Sequence, residues 1–351
     1  MIKVLVVDDS AFMRKALSSM LEEDPEIKVI GTARDGLEAL QMIKELKPDI
    51  VTMDVEMPRM DGITALKEIM DKFPLPVIMV SSLTTDGAKV TLEALEYGAV
   101  DFIPKNLSEL SVNIVKIKGM LLEKIKTIGR RGLIKRKPLI KTSETKVEAP
   151  KIEPCRVRMS TDRRVGIVSI GTSTGGPKAL QEIIPKLPKD FPVPILIAQH
   201  MPPNFTKPFA ERLDQLSQLT VKEADEGETV KPGIVYIAPG RGHMRIKKRG
   251  IETLISISGD KEEFIYRPSV DALMLSIAEY FSGRCLGVIL TGMGNDGAKG
   301  CKKIKETGGR VFAQDEESCV VYGMPKAVVD AGIADKVLSL EEMAGEIINA
   351  V

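Results

Sequence analysis

Short apolar runs alternate with segments of helical spacing along this chain, and the pattern occurs twice. In the first third, runs at Ile2–Val7, Val29–Ile30, Ile50–Met53, Val77–Val80 and Val100–Ile103 read as strands. Ala11–Leu21, Gly36–Leu46 and Ile63–Met70 lie between them with helical periodicity, and Phe12, Ala16, Leu17, Met20 and Leu21 form the expected apolar face of the first. Strands alternating with helices of this length predict βαβ units and a parallel sheet. From about Lys126 to Arg164 the periodicity fades into charge, proline and small polar residues, a composition that cannot bury enough apolar area to order itself. A second strand series follows at Gly166–Ile170, Val193–Ala198, Gly233–Ala238, Thr253–Ile257, Cys285–Leu290 and Arg310–Phe312. Helical patterns at Pro177–Lys186, Phe205–Leu216, Ser269–Tyr280 and Gly297–Thr307 intervene. A chain of 351 residues is also too long for one typical domain. The expected organisation is α/β throughout: a domain at 1–125, a linker at 126–164, and a doubly wound domain with a mostly parallel sheet at 165–351.

In open parallel sheets the ligand site forms beyond the C-terminal strand ends. The first domain's strand ends carry a consistent chemistry. They are Asp8-Asp9, then Asp54 with the loop Val55-Glu56-Met57-Pro58, then Ser81-Ser82, then Phe102-Ile103-Pro104-Lys105. Clustered carboxylates repel unless a hard cation sits among them, and Mg²⁺ takes a few carboxylate oxygens together with water and phosphate. A lysine opposite them can balance a transferred phosphoryl group. Each residue alone is an ordinary loop residue; their joint placement at successive strand ends is not.

The series Val-Asp-Asp-Ser, Met-Asp-Val-Glu-Met-Pro-Arg-Met-Asp-Gly, Val-Ser-Ser and Asp-Phe-Ile-Pro-Lys resembles the response-regulator receiver domain over about the first 125 residues. The resemblance implies a flavodoxin-like (βα)5 fold in which Asp54 accepts phosphate. It implies Mg²⁺ held by Asp8, Asp9, Asp54 and the backbone carbonyl of Glu56, with Ser81 and Lys105 on the phosphoryl oxygens and Phe102 as the aromatic switch. Asn106 stands where the family often has proline.

In the second domain the first strand leads into Gly171-Thr172-Ser173-Thr174-Gly175-Gly176-Pro177 and a helix. Such a turn can cradle a phosphate on the helix N-terminus or expose a nucleophilic serine beside backbone N–H groups. The dinucleotide fingerprint is absent, since position 173 is serine, and no P-loop lysine follows. A serine nucleophile needs a base, and the chain offers two histidines, His200 and His243. His200 directly follows an apolar strand, on the edge where Ser173 is expected; His243 lies in a glycine-rich loop. Asp296, in Thr291–Gly297 after the strand Cys285–Leu290, reaches the same edge, either as an orienting carboxylate or as a turn residue capping the next helix. The order Ser…His…Asp differs from that of α/β-hydrolases, so the elbow alone does not assign that fold.

Ile170–Gly176, Gln199–Pro203, Tyr236–Gly240 with His243-Met244, Arg267–Asp271, Thr291–Gly297 and Ser318–Pro325 instead resemble the catalytic domain of CheB-type chemotaxis protein-glutamate methylesterases. The resemblance implies Ser173 as nucleophile, His200 as base and Asp296 as its orienting partner, with N–H groups near Thr174 and Met293 as oxyanion candidates. It implies glutamyl methyl ester hydrolysis and glutamine deamidation on chemoreceptors, with no cofactor for that chemistry. It also implies a chemotaxis histidine kinase as phosphodonor and an unphosphorylated receiver that covers the active site.

Bulk properties narrow the partners. A formal net charge of +1 argues against nucleic-acid binding, and the basic cluster Arg130, Arg131, Lys135, Arg136 and Lys137 falls in the expected linker as a solvated hinge. No apolar run approaches the ~18 residues of a membrane span, and MIKVLVVDDS lacks a signal-peptide layout. A cytoplasmic protein without direct membrane binding is expected, and Cys155, Cys285, Cys301 and Cys319, with no CxxC pair, read as reduced thiols. Three competing outputs stay open: a DNA-binding domain, which the α/β pattern disfavours; a nucleotide-binding effector using Gly171–Gly176; and a silent scaffold.

Overall fold

The computed structural model describes residues 1–82, 84–105, 114–131, 165–259 and 264–351. Most of the expected linker (132–164) and Asn106 lie outside the described residues. The N-terminal elements are β1 (Ile2–Val7), α1 (Ala11–Glu22), β2 (Ile27–Ala33), α2 (Gly36–Leu46), β3 (Ile50–Asp54), α3 (Gly62–Lys72), β4 (Val77–Ser82), α4 (Thr85–Glu96), β5 (Asp101–Lys105) and α5 (Ile114–Arg131). The strands form one sheet in the order β2-β1-β3-β4-β5, every pairing parallel. β3 is buried along its whole length, which is why it reads as a continuous apolar run rather than an alternation. Ser10, Asp35 and Asp61 start the first three helices by accepting a backbone N–H three residues on.

The buried face of α1 matches the expected one at Leu17, Met20 and Leu21 but departs from it at its start. Met13, Leu17, Met20 and Leu21 face the sheet, whereas Phe12 is 65% exposed. The sheet selects the stripe that begins at Met13, and the preceding aromatic is left in solvent. Helix α5 extends to Arg131, past the expected end near Thr127. Its last turns are tied to the start of β2 by Lys126–Asp24 at 2.7 Å and by Arg130–Glu26.

The C-terminal elements are β6 (Ile167–Thr172), α6 (Gly176–Ile183), β7 (Ile195–Gln199), α7 (Pro203–Leu216), β8 (Thr220–Glu223), β9 (Ile234–Ile237), β10 (His243–Arg249) and β11 (Glu252–Ser258). After them come α8 (Val270–Tyr280), β12 (Cys285–Ile289), α9 (Ala298–Glu306), β13 (Arg310–Gln314), α10 (Met324–Asp330), β14 (Lys336–Leu338) and α11 (Leu340–Ala350). The main sheet has the order β14-β13-β12-β6-β7-β9-β8, again with parallel pairings. Thr253–Ile257, expected in this sheet, instead pairs antiparallel with β10 in a separate hairpin. His243, expected in a loop, is the first residue of that hairpin and fully buried. From β6 the chain builds outward through β7, then returns to add β12 on the other side. The crevice at this reversal lies beyond the ends of β7, β6 and β12.

The two sheet domains meet through α4, β5 and α5 of the first. Phe102 of β5 stacks on Phe205 of α7, with centroids 4.6 Å apart and planes at 10°. Arg212 of α7 holds both carboxylate oxygens of Glu96, its Nη2 at 2.7 Å from Oε2. Thr127 Oγ1 on α5 lies 3.9 Å from Met293 Sδ. Among the described residues no helix is long and apolar enough to cross a membrane.

Candidate active site and carboxylate cluster

The end of β1 and the end of β3 are neighbours in the first sheet, so their terminal carboxylates are forced together. Asp8, Asp9 and Asp54 offer oxygens that all lie within 4.8 Å of one another. Lys105, from the end of β5, places Nζ 2.7 Å from Asp8 Oδ2 and 2.6 Å from Asp54 Oδ2. One ammonium therefore serves two nearly buried carboxylates. Burial, with Asp8 adding to it, pushes the Asp54 carboxyl up to about 6 despite Lys105. Burial works against the Lys105 ammonium as well, but its two carboxylate partners more than offset this and raise it. An excess of negative charge on oxygen donors, two of the three carboxylates buried, suits a hard divalent cation. Glu56 lies in the turn after β3 with its side chain exposed, so only its backbone carbonyl suits the expected metal role. Ser81 is buried, and its hydroxyl donates to Gly87 O in α4 at 3.3 Å.

In the second sheet, register brings three expected residues to one edge. Thr172 of β6 pairs with Gln199 of β7, and Gly171 pairs with Ile289 of β12. Ser173 and His200 each stand one residue beyond a paired position. Their N–H groups continue the ladder, Ser173 to Thr291 O at 3.1 Å and His200 to Thr172 O at 3.1 Å. Ser173 is partly exposed between buried Thr172 and Thr174. The turn after it depends on Gly175, which takes φ +78 at the start of α6, a conformation costly for residues with a Cβ.

His200 Nε2 lies 2.8 Å from Asp296 Oδ2. The carboxylate therefore occupies Nε2, which leaves Nδ1 as the ring nitrogen able to take a proton. Asp296 does not cap α9; Gly297 stands at that position. Its carboxylate instead receives the N–H groups of Val270 (2.8 Å) and Asp271 (3.0 Å), at the start of α8, and the Ser269 hydroxyl (3.0 Å). Burial alone would raise the Asp296 carboxyl, but His200 and the helix N–H donors outweigh it and hold the group below its ordinary range. Asp271 returns the arrangement, accepting from Gly297 N at 3.0 Å and Gly300 N at 2.7 Å at the start of α9. The two helix starts are thus locked by exchanged aspartates. Burial raises Asp271, and the nearby Asp296 charge adds to this. The backbone N–H groups of Thr174 and Met293 take part in no hydrogen bond among the described residues. His243 is not brought to this edge; its Nδ1 accepts from Ser269 N at 3.2 Å behind Asp296.

Sequence reasoning missed several supporting residues. Gln199 Nε2 donates to Ser173 O (3.0 Å) and His200 O (2.9 Å), clamping the two strand ends. Its place beside His200 at the end of an apolar run was a usable signal. Ser269 was detectable as a cap ahead of an apolar helical pattern, since it accepts from Ala272 N. Tyr266 stacks on His200, and no local pattern marks it.

Comparison with known proteins matches both domains of the chain. Residues 4–114 match the model of the response regulator receiver domain, and residues 168–347 match that of the CheB methylesterase. A protein of Nitratidesulfovibrio vulgaris named protein-glutamate methylesterase/protein-glutamine glutaminase 2 is 51% identical over 365 aligned positions, spanning 100% of both chains. A Pyrococcus abyssi protein named protein-glutamate methylesterase/protein-glutamine glutaminase is 46% identical, spanning 100% of this chain and 94% of its own. The crystal structure of the Thermotoga maritima CheB methylesterase catalytic domain is 50% identical with a TM-score of 0.52, covering 53% of this chain and 99% of that one.

Proposed function

The chain belongs to the CheB methylesterase family, and from that premise we propose that it hydrolyses glutamyl methyl esters on chemoreceptors by a Ser173–His200–Asp296 mechanism gated through Asp54. It is a carboxylic ester hydrolase with glutaminase activity, as its full-length relatives are named. One observation carries the mechanism: the His200–Asp296 bond of 2.8 Å at the strand edge that presents Ser173. Ser173 Oγ attacks the ester carbonyl carbon while its proton passes to His200 Nδ1. Asp296, kept ionised by four donors, stabilises the resulting imidazolium. The N–H groups of Thr174 and Met293 receive the oxyanion. Collapse breaks the C–O bond, and His200 returns the proton to the departing methoxide, giving methanol. Water then attacks the acyl-serine, again giving its proton to His200, and glutamate leaves as Ser173 is restored. With glutamine as substrate the leaving group is ammonia. Methanol release from a methylated chemoreceptor is the assay: dependence on Ser173 supports the reading, and an inert protein would reduce the second sheet to a binding module or scaffold.

On the receiver side, a histidine kinase donates phosphate to Asp54. Mg²⁺ on Asp8, Asp9, Asp54 and the Glu56 carbonyl would offset the charge that the phosphoryl group brings. Lys105 contacts the phosphoryl oxygens, and Ser81 turns from Gly87 toward them. The sensory role is adaptation, and membrane association comes only through the receptors. The domain limits 1–125, 126–164 and 165–351 belong to the same proposal. Gating is supported by α5, from which Thr127 reaches Met293 and the Glu123 charge acts on Tyr266.

Protons and Mg²⁺ compete for Asp54. The group titrates at about 6, so it is charged at pH 7.5 and mostly protonated at pH 5. Calorimetric titration of the intact chain is expected to show roughly tenfold weaker Mg²⁺ binding at pH 5 than at pH 7.5. Equal affinity at both values would remove Asp54 from the ligand set.

A further inference from the structure

Tyr266 lies outside the three residues assigned to the chemistry, yet it makes a close contact with one of them. Its ring lies over the His200 imidazole, with centroids 4.5 Å apart and planes at 10°. Its hydroxyl reaches the loop that carries Met293 and Asp296: a Cβ on Gly294 would stand 2.8 Å from Tyr266 Oη, and Gly294 has φ +83. A side chain there would displace the phenol, so the glycine makes room for it. The ring therefore spans from the base to the oxyanion loop.

We propose that Tyr266 is a positioning residue for His200, holding the imidazole in plane with Asp296 and favouring its protonated form during acyl transfer; this rests on His200 being the base. The face of an aromatic ring carries negative electrostatic potential and attracts a cation more strongly than a neutral ring. Imidazole is neutral before Ser173 attacks and cationic afterwards. Stacking on Tyr266 therefore strengthens as the barrier is climbed, which raises kcat rather than substrate affinity. Among the described residues, the charges that bear on this pair include Asp296, bonded to His200, and Glu123 of α5, whose charge acts on Tyr266 from the receiver. Burial, with Glu123 and Asp296 adding, raises the Tyr266 hydroxyl, so the ring remains a neutral phenol at working pH.

The test compares Tyr266→Leu, Tyr266→Phe and His200→Gln in the full-length chain, activated with a small phosphodonor and Mg²⁺. Methanol release from methylated receptor is followed across pH. Tyr266→Leu is expected to lower kcat by about five- to tenfold with KM unchanged. The acid limb of its kcat/KM profile should move to lower pH by about half a unit to one unit, because the cation loses a stabilising face. Tyr266→Phe keeps the ring and should restore both the rate and the limb. Three results overturn the proposal: an unchanged limb in Tyr266→Leu, equal losses in the Leu and Phe variants, or a loss confined to KM. His200→Gln separates the two levels. Full activity in that variant means the base assignment itself is wrong. An inactive His200→Gln beside a wild-type-like Tyr266→Leu removes only Tyr266.

Discussion

Ser173→Ala is expected to lower methanol release by about 10⁴- to 10⁶-fold, leaving only the contribution of substrate binding and the oxyanion donors. The loss should appear in kcat, since the hydroxyl bonds to the substrate only as the barrier is crossed. The fold should survive, because Ser173 is held through its backbone, by Thr291 O and by Gln199 Nε2, and neither contact uses the hydroxyl. Asp54 should still accept phosphate from a small donor, as the carboxylate cluster is built by other strands of another sheet. An alanine variant hydrolysing at more than about a hundredth of the wild-type rate would place the nucleophile elsewhere.

The second large effect concerns the receiver. A fragment beginning near residue 165 is expected to hydrolyse methyl esters on the order of 30-fold faster than the unphosphorylated whole, within the usual range of coupling between sites. Three contacts are removed together: Phe102 on Phe205, Arg212 on Glu96, and Thr127 on Met293. Phe205 belongs to α7, which starts only three residues after His200, and Met293 is an oxyanion candidate. The receiver therefore packs on the helix that follows His200 and on the loop that carries Met293 and Asp296. Arg212→Ala in the full chain should give a smaller rise in the same direction, since an exposed ion pair contributes little. A fragment no faster than the intact chain would mean that the packing of the two domains does not inhibit.

The placement of these side chains was legible in the sequence because they stand at strand ends. Ser173, His200 and Asp296 each follow an apolar run, and a parallel sheet aligns the ends of its strands whatever the details of their register. The same logic placed Asp8, Asp9, Asp54 and Lys105. What failed depended on tertiary choice. Thr253–Ile257 has the composition of a sheet strand, but the short turn after Arg249 folds it onto β10 and keeps it apart from the main sheet. Edge strands β8 and β14 have too few apolar residues to announce themselves, since one side of an edge carries no neighbour. Within α1, Leu17, Met20 and Leu21 were placed correctly, but the large aromatic at 12 suggested burial that the sheet gives to Met13. The donors around Asp296 come from a helix start 25–27 residues away in sequence, and Tyr266 reaches His200 from 66 positions further along the chain. Neither contact has a local signature.

The most direct measurement is methanol release from methylated chemoreceptor by the intact chain, with and without a small phosphodonor and Mg²⁺, in the wild type and in Asp54→Asn. Stimulated release in the wild type, and none in Asp54→Asn, is the expected result, because it requires the esterase, the phosphorylation site and their coupling at once. Equal release under both conditions in the wild type, or stimulation that survives Asp54→Asn, would contradict a serine esterase gated through Asp54.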